Sequence, residues 1–103
     1  MKTDDLFVKF VLDQLGGVHG LECRAMFGGH GLYSEDVFFG IISGGKLYFK
    51  TRSSTREKYL EHGMEPFRPN ERQTLKNYYE VPVDVLEDHD DLTVWALEAT
   101  RVE

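Results

Sequence analysis

The sequence predicts an α+β domain: two layers, one antiparallel sheet with helices mostly on one face, in the order α-β-β-β-α-β-β-α. Three observations predict it. Helical apolar periodicity stands at both ends of the chain, over residues 4–15 and 89–102. Between them lie short runs rich in aromatic and β-branched residues. Two of those runs are joined by Gly44-Gly45, a two-residue hairpin turn in which positive φ costs little.

The first helix, over residues 4–15, has Thr3 suited to its N-cap. Asp4 and Asp5 stand at the positive end of its dipole, and Gly16-Gly17 follow it. Leu6, Phe7, Val8, Phe10, Val11, Leu12 and Leu15 cover well over half of its circumference, whereas a surface helix needs an apolar arc of about 100°. This helix is therefore expected to touch something on two sides, either the rest of the fold or a second subunit.

Residues 21–27 alternate as a strand does, and Gly28-Gly29-His30-Gly31 reads as a connecting loop before Leu32-Tyr33. Residues 37–43 are apolar on both faces, which predicts a central strand. In the next strand Leu47 and Phe49 point one way, and Lys46, Tyr48 and Lys50 the other.

Ser54-Thr55-Arg56-Glu57 has the spacing of a capping box and predicts a short helix ending at Gly63. Glu65 to Pro69 is extended, because proline pushes its predecessor toward β. A polar loop over residues 70–75 leads to a last strand over residues 76–81, which Pro82 ends. Asp88 is a good cap for the final helix. Leu92, Trp95, Ala96, Ala99 and Val102 give that helix one apolar stripe.

With 103 residues the chain suits one domain, spanning 1–103. No stretch approaches the about 18 consecutive apolar residues of a membrane span, and the acidic N-terminus does not resemble a secretory signal. A lone cysteine, Cys23, allows no internal disulfide, so a reducing cytoplasm is the expected home. The formal net charge is −6, divided as −3 over residues 1–45, +4 over 46–76 and −7 over 77–103. A dedicated phosphate-backbone binder carries a strongly basic balance. Direct binding to duplex DNA is therefore not expected, although the middle segment can form a local basic patch.

The order of these pieces, with Arg24-x-Met26-Phe27-Gly28-Gly29-x-Gly31-Leu32-Tyr33, resembles the N-terminal domain of the TfoX/Sxy family of bacterial competence regulators. The similarity continues through Phe38-Phe39, Leu47-Tyr48-Phe49-Lys50 and Gly63-Met64-x-Pro66-Phe67. It ends in Tyr78-Tyr79-x-Val81-Pro82, Val85-Leu86-Glu87-Asp88, Leu92 and Trp95, and so covers nearly the whole chain. The resemblance implies a fold like that of the secretion-chaperone class, which often dimerises. It also implies a role in transcriptional control of DNA uptake, exerted through a partner protein. Family regulators commonly carry a second, C-terminal helical domain; the 103 residues are expected to hold the N-terminal type alone.

Several residue types that could carry chemistry have plainer explanations. Gly28-Gly29-His30-Gly31 lacks both the Walker spacing and Gly-x-Gly-x-x-Gly, so its glycines are expected to serve a turn or close packing. His19, His30, His62 and His89 show no metal-ligand spacing, and no metal or cofactor is expected. Cys23 sits in a strand beside Arg24 with no residue placed to act as its base, which fits an inert thiol. Asp88, Asp90 and Asp91 belong to a helix start. Met26, Phe27, Gly28, Gly29, Gly31, Pro82 and Trp95 are expected to be structural.

Arg24, Lys46, Tyr48, Lys50 and Arg52 form the candidate binding face, suited to an acidic partner. The expected function is that of a non-enzymatic, homodimeric regulatory module that binds another protein. Two alternatives stand beside it. One is an accessory nucleic-acid binder using the basic and aromatic sheet face; the other is a small enzyme or ligand-binding domain centred on Cys23 and His30.

Overall fold

The computed structural model describes residues 3–26 and 28–101. The side chains of Thr3 and Asp4, and the whole of Phe27 and Val102, lie outside the described residues, as do the expectations placed on them. The elements are α1 (Thr3–Gln14), β1 (Leu21–Met26), β2 (Gly29–Ser34), β3 (Val37–Ser43), β4 (Lys46–Lys50), α2 (Ser53–Glu61), β5 (Pro66–Asn70), β6 (Gln73–Glu80), α3 (Val83–Leu86) and α4 (His89–Thr100). All strand pairs are antiparallel, in one sheet of order β1-β2-β3-β4-β6-β5. The fold class is as expected, with one more strand and one more short helix.

The additional strand is β2. Of residues 28–31 Gly28 alone lies outside the strand, at φ 76°; Gly29, His30 and Gly31 are already paired with β1. Glycine weakens a strand unless something needs its missing side chain, and here two neighbours do. A Cβ on Gly29 would stand 2.4 Å from the Ile42 carbonyl oxygen. A Cβ on Gly31 would stand 2.7 Å from Met26 Sδ and 3.1 Å from the Phe38 ring. The loop expected over 28–31 is therefore a strand whose glycines admit close neighbours.

The pairing of β2 with β3 slips between Leu32 and Tyr33, which leaves Phe39 as an extra residue in β3. The bulge brings Phe39 to the same side as Ile42, where simple alternation would oppose them. Phe39 and Ile42 both join the main core, while Ile41 pairs with Tyr48 on the opposite side. The tight β2–β3 turn holds Glu35 at φ 48° and Asp36 at φ 71°, a region that side chains other than glycine, asparagine and aspartate rarely adopt. The β3–β4 turn uses Gly44 and Gly45 at φ 59° and 74°, as the sequence predicts.

One face of the sheet carries the helices. Leu92, Trp95, Ala96 and Ala99 bury the predicted stripe of α4, which lies across β3 and β4. The Asp88 carboxylate accepts the Asp91 amide at 3.0 Å, as an N-cap should. Tyr59 packs edge-on against Trp95 with ring centroids 4.7 Å apart, a geometry worth about 1 kcal/mol beyond the area it buries.

The wide apolar arc of α1 divides. Val11 and Leu15 are fully buried, and Phe7, Val8 and Leu12 pack against the core from its edge. Leu6 and Phe10 remain 66% and 40% exposed. The start of α2 differs from expectation. Arg52 is its N-cap, and its amide donates to the Thr55 hydroxyl at 3.0 Å, so the reciprocal bond of a capping box is built two residues before the place where Ser54 and Glu57 would put it. Pro82 is buried and ends β6, and its carbonyl accepts from Val85 and Leu86 to open α3.

Candidate docking face

Among the described residues no helix covers the other face of the sheet, and its composition follows from the registers. Directly opposed residues in antiparallel strands share a face. Arg24 opposes Gly31, Glu22 opposes Tyr33, Gly31 opposes Ile41 and Ile41 opposes Tyr48. Tyr48 then opposes Glu80, and Lys50 opposes Tyr78. The face is thus a row of aromatic rings over apolar ground. Tyr33 and Phe38 have centroids 5.1 Å apart, Phe38 and Tyr78 5.4 Å, and Tyr48 and Phe67 4.7 Å. Each of these rings is half-buried, and together they leave Ile41 only 2% exposed. Next to them Met26, Phe67, Pro69 and Leu75 border an apolar hollow of about 300 Å³.

Two of the cations on this face, Arg24 and Lys46, are paired with carboxylates. Arg24 Nη2 meets Glu22 at 2.6 Å and Asp36 at 3.3 Å, and its guanidinium lies 4.2 Å from the centre of the Tyr33 ring. The hydrogen bond that Arg24 donates to the Glu22 carboxylate pushes the Arg24 pKa up. Lys46 Nζ stands 3.8 Å from Glu80. Burial raises the Tyr48 phenol, with Glu80 adding to it, and burial followed by Tyr33 pushes the Tyr78 phenol up to about 12. Both phenols therefore stay neutral donors at physiological pH.

The structure brings Arg24, Lys46, Tyr48 and Lys50 onto this face and removes Arg52 from it. Arg52 donates from Nη1 to the Arg101 carbonyl at 2.8 Å and from Nη2 to the Glu98 carbonyl at 3.0 Å, closing the C-terminal end of α4. The period-2 expectation fails there because β4 ends at Lys50 and Arg52 already caps α2. Tyr33, Phe38, Phe67 and Tyr78 are the residues that sequence reasoning missed. Their aromatic character was visible, but their common face depends on register.

Cys23 opposes Leu32 on the helix side and packs against the core. Burial pushes its thiol pKa up, the opposite of what an activated nucleophile needs. His30 opposes Ala25 and Ile42 in the sheet. Among the described residues no group of three or more His, Cys, Asp or Glu comes together as metal ligands would. Among the same residues no helix is long and apolar enough to cross a membrane.

Comparison with known proteins adds two findings. The family described as the TfoX N-terminal domain matches residues 13–102. The DNA transformation protein TfoX1 of Aliivibrio fischeri (strain ATCC 700601 / ES114) is 35% identical over 60 residues, which are 56% of this chain and 29% of that relative. The match thus spans less than a third of the relative's length.

Proposed function

The chain belongs to the TfoX N-terminal domain family, and we propose that it regulates DNA transformation without catalysis, by docking a partner protein on the open face of its sheet. The regulatory role follows the printed name of its relative. The observation that carries the docking reading is the row of half-buried rings, Tyr33, Phe38, Tyr48, Phe67 and Tyr78, on a face that none of the described helices covers. Interface centres are enriched in Tyr, Phe, Met and Arg, and the middle of this face carries Tyr33, Phe38, Tyr48, Phe67 and Tyr78 with Arg24 beside them. Nucleic-acid binding needs cations left free to replace counterions; Arg24 and Lys46 already hold carboxylates. Leu6 and Phe10, exposed on α1, extend the reading to a homodimer through that helix.

The test is genetic and biochemical together. Deleting the gene in its host should lower DNA uptake, and the wild-type chain should restore it. A Tyr48→Ala/Phe67→Ala chain, shown to be folded by circular dichroism, should neither restore uptake nor co-purify with the protein that the wild type captures. A Val94→Ser chain, altered on the outer side of α4, should do both. Unchanged uptake in the deletion strain would end the transformation role, and normal capture by the double variant would end the docking role of this face.

A further inference from the structure

The sheet begins and ends on two edge strands, β1 and β5, and an edge strand offers a row of main-chain donors and acceptors to another chain. The two edges differ. β5 contains Pro66 and Pro69, and its register with β6 is broken twice. Prolines and irregular pairing are devices that keep an edge closed. β1 has neither: its six residues hold one unbroken register with β2 and include no proline or lysine. Among the described residues nothing pairs with its outer side.

One contact fixes which main-chain groups face outward. The Gly20 carbonyl accepts the Glu35 amide at 3.2 Å, so it points inward, toward the chain that continues β2. In a trans peptide the next amide, that of Leu21, points the opposite way. Alternation along an antiparallel ladder carries the pattern on. Glu22 and Arg24 turn their main-chain groups to Tyr33 and Gly31, while Leu21, Cys23 and Ala25 present theirs to the outside. The side chains of Glu22 and Arg24 stand on the open face and are about half exposed.

We propose that β1 pairs antiparallel with β1 of a second copy, across a two-fold axis at Cys23. Leu21 then opposes Ala25 of the other copy, and about six main-chain hydrogen bonds form. Glu22 opposes Arg24 across the seam, in the pairs whose Cα atoms stand about 4.5 Å apart and whose side chains are closest. Arg24 keeps its own Glu22 at 2.6 Å and gains a second. Other registers fail. A slip of one residue sets outward main-chain groups against inward ones. A slip of two, in either direction, sets Glu22 against Glu22 or Arg24 against Arg24. Charges on an edge strand ordinarily discourage pairing; here opposite signs on either side of the axis attract a second copy of the same strand. The axis crosses the sheet from face to face, so the two rows of rings lie on one continuous open surface. The inference rests on the homodimer part of the function proposed above, and gives it a main-chain contact that exposed side chains on α1 do not provide.

Sedimentation equilibrium at micromolar concentrations tests it, with circular dichroism to show that each variant is folded. The wild-type chain is expected to dimerise. Ala25→Pro removes an outward amide and leaves the bonds between β1 and β2, and should weaken the dimer about tenfold or more. Glu22→Arg and Arg24→Glu should each weaken it about tenfold, since each sets like charges opposite one another twice. Mixed in equal amounts, these two variants should form a heterodimer, because every opposed pair again has opposite signs. Failure of the mixture to pair would overturn the proposal, and this arm decides alone if Ala25→Pro does not fold. A dimer that survives Ala25→Pro and both reversals would overturn it too, and its loss in Leu6→Ser/Phe10→Ser would leave the homodimer through α1 standing. A wild-type chain that stays monomeric would end both.

Discussion

Met26 lies over Gly31: a Cβ on Gly31 would come within 2.7 Å of the Met26 sulfur. The same absent side chain makes room for Phe38 and Tyr33, at 3.1 and 3.3 Å. The open face is therefore built around a glycine, and its rings close over bare backbone.

Gly31→Ala should destabilise the fold by roughly 1–2 kcal/mol, since overpacking forces neighbours off their rotamers while the Met26 side chain can yield in part. Gly29→Ala should cost more, because the obstacle is the backbone carbonyl of Ile42 at 2.4 Å. Denaturant titration of both variants checks the order. Equal losses would contradict the packing account.

Arg52→Ala should destabilise by about 1–2 kcal/mol, through the loss of two charge-assisted bonds to the last carbonyls of α4. Arg52→Lys should recover less than half of that, because an ammonium does not reproduce the planar fork that reaches both oxygens. Hydrogen exchange at the end of α4 should quicken in both variants.

Glu35→Asn with Asp36→Gly should stabilise the protein by roughly 0.5–1 kcal/mol. Both positions have positive φ, and Asn-Gly is the pair such a two-residue turn favours. The ion pair of Asp36 with Arg24 is lost, but it lies at the surface, where such pairs contribute little. A raised thermal midpoint is the expected readout.

Stability should fall as the solution becomes strongly alkaline. The folded-state pKa of Tyr78 is raised to about 12, above the unfolded value of about 10. Its contribution is therefore complete below about pH 10 and is lost as pH rises toward 12, where the unfolded chain binds fewer protons. The ring is half-exposed, so screening limits the effect to about 1 kcal/mol. Tyr78→Phe should flatten this part of the stability profile without abolishing the decline, because Tyr48 and Tyr59 are raised as well.

Much of the fold is legible in the sequence wherever the signal is local. The stripe Leu92, Trp95, Ala96 and Ala99, the Asp88 cap and the Gly44-Gly45 turn each depend on a few neighbouring residues, and each is found as expected. The strand at Gly29–Ser34 was not legible, because its glycines follow from the positions of Met26, Phe38 and Ile42. The candidate face was half legible. Lys46, Tyr48 and Lys50 alternate within one strand, whereas Tyr33, Phe38, Phe67 and Tyr78 join them through pairings between separate strands.

The amino-acid order alone determined an α+β domain, with helices at both ends and antiparallel strands between, because repeats of two and 3.6 residues and the caps beside them are written within single turns and strands. Tertiary structure decided which rings share the uncovered side and where Arg52 turns. Register and the bulge at Phe39 place those groups, and both arise only when distant segments pair.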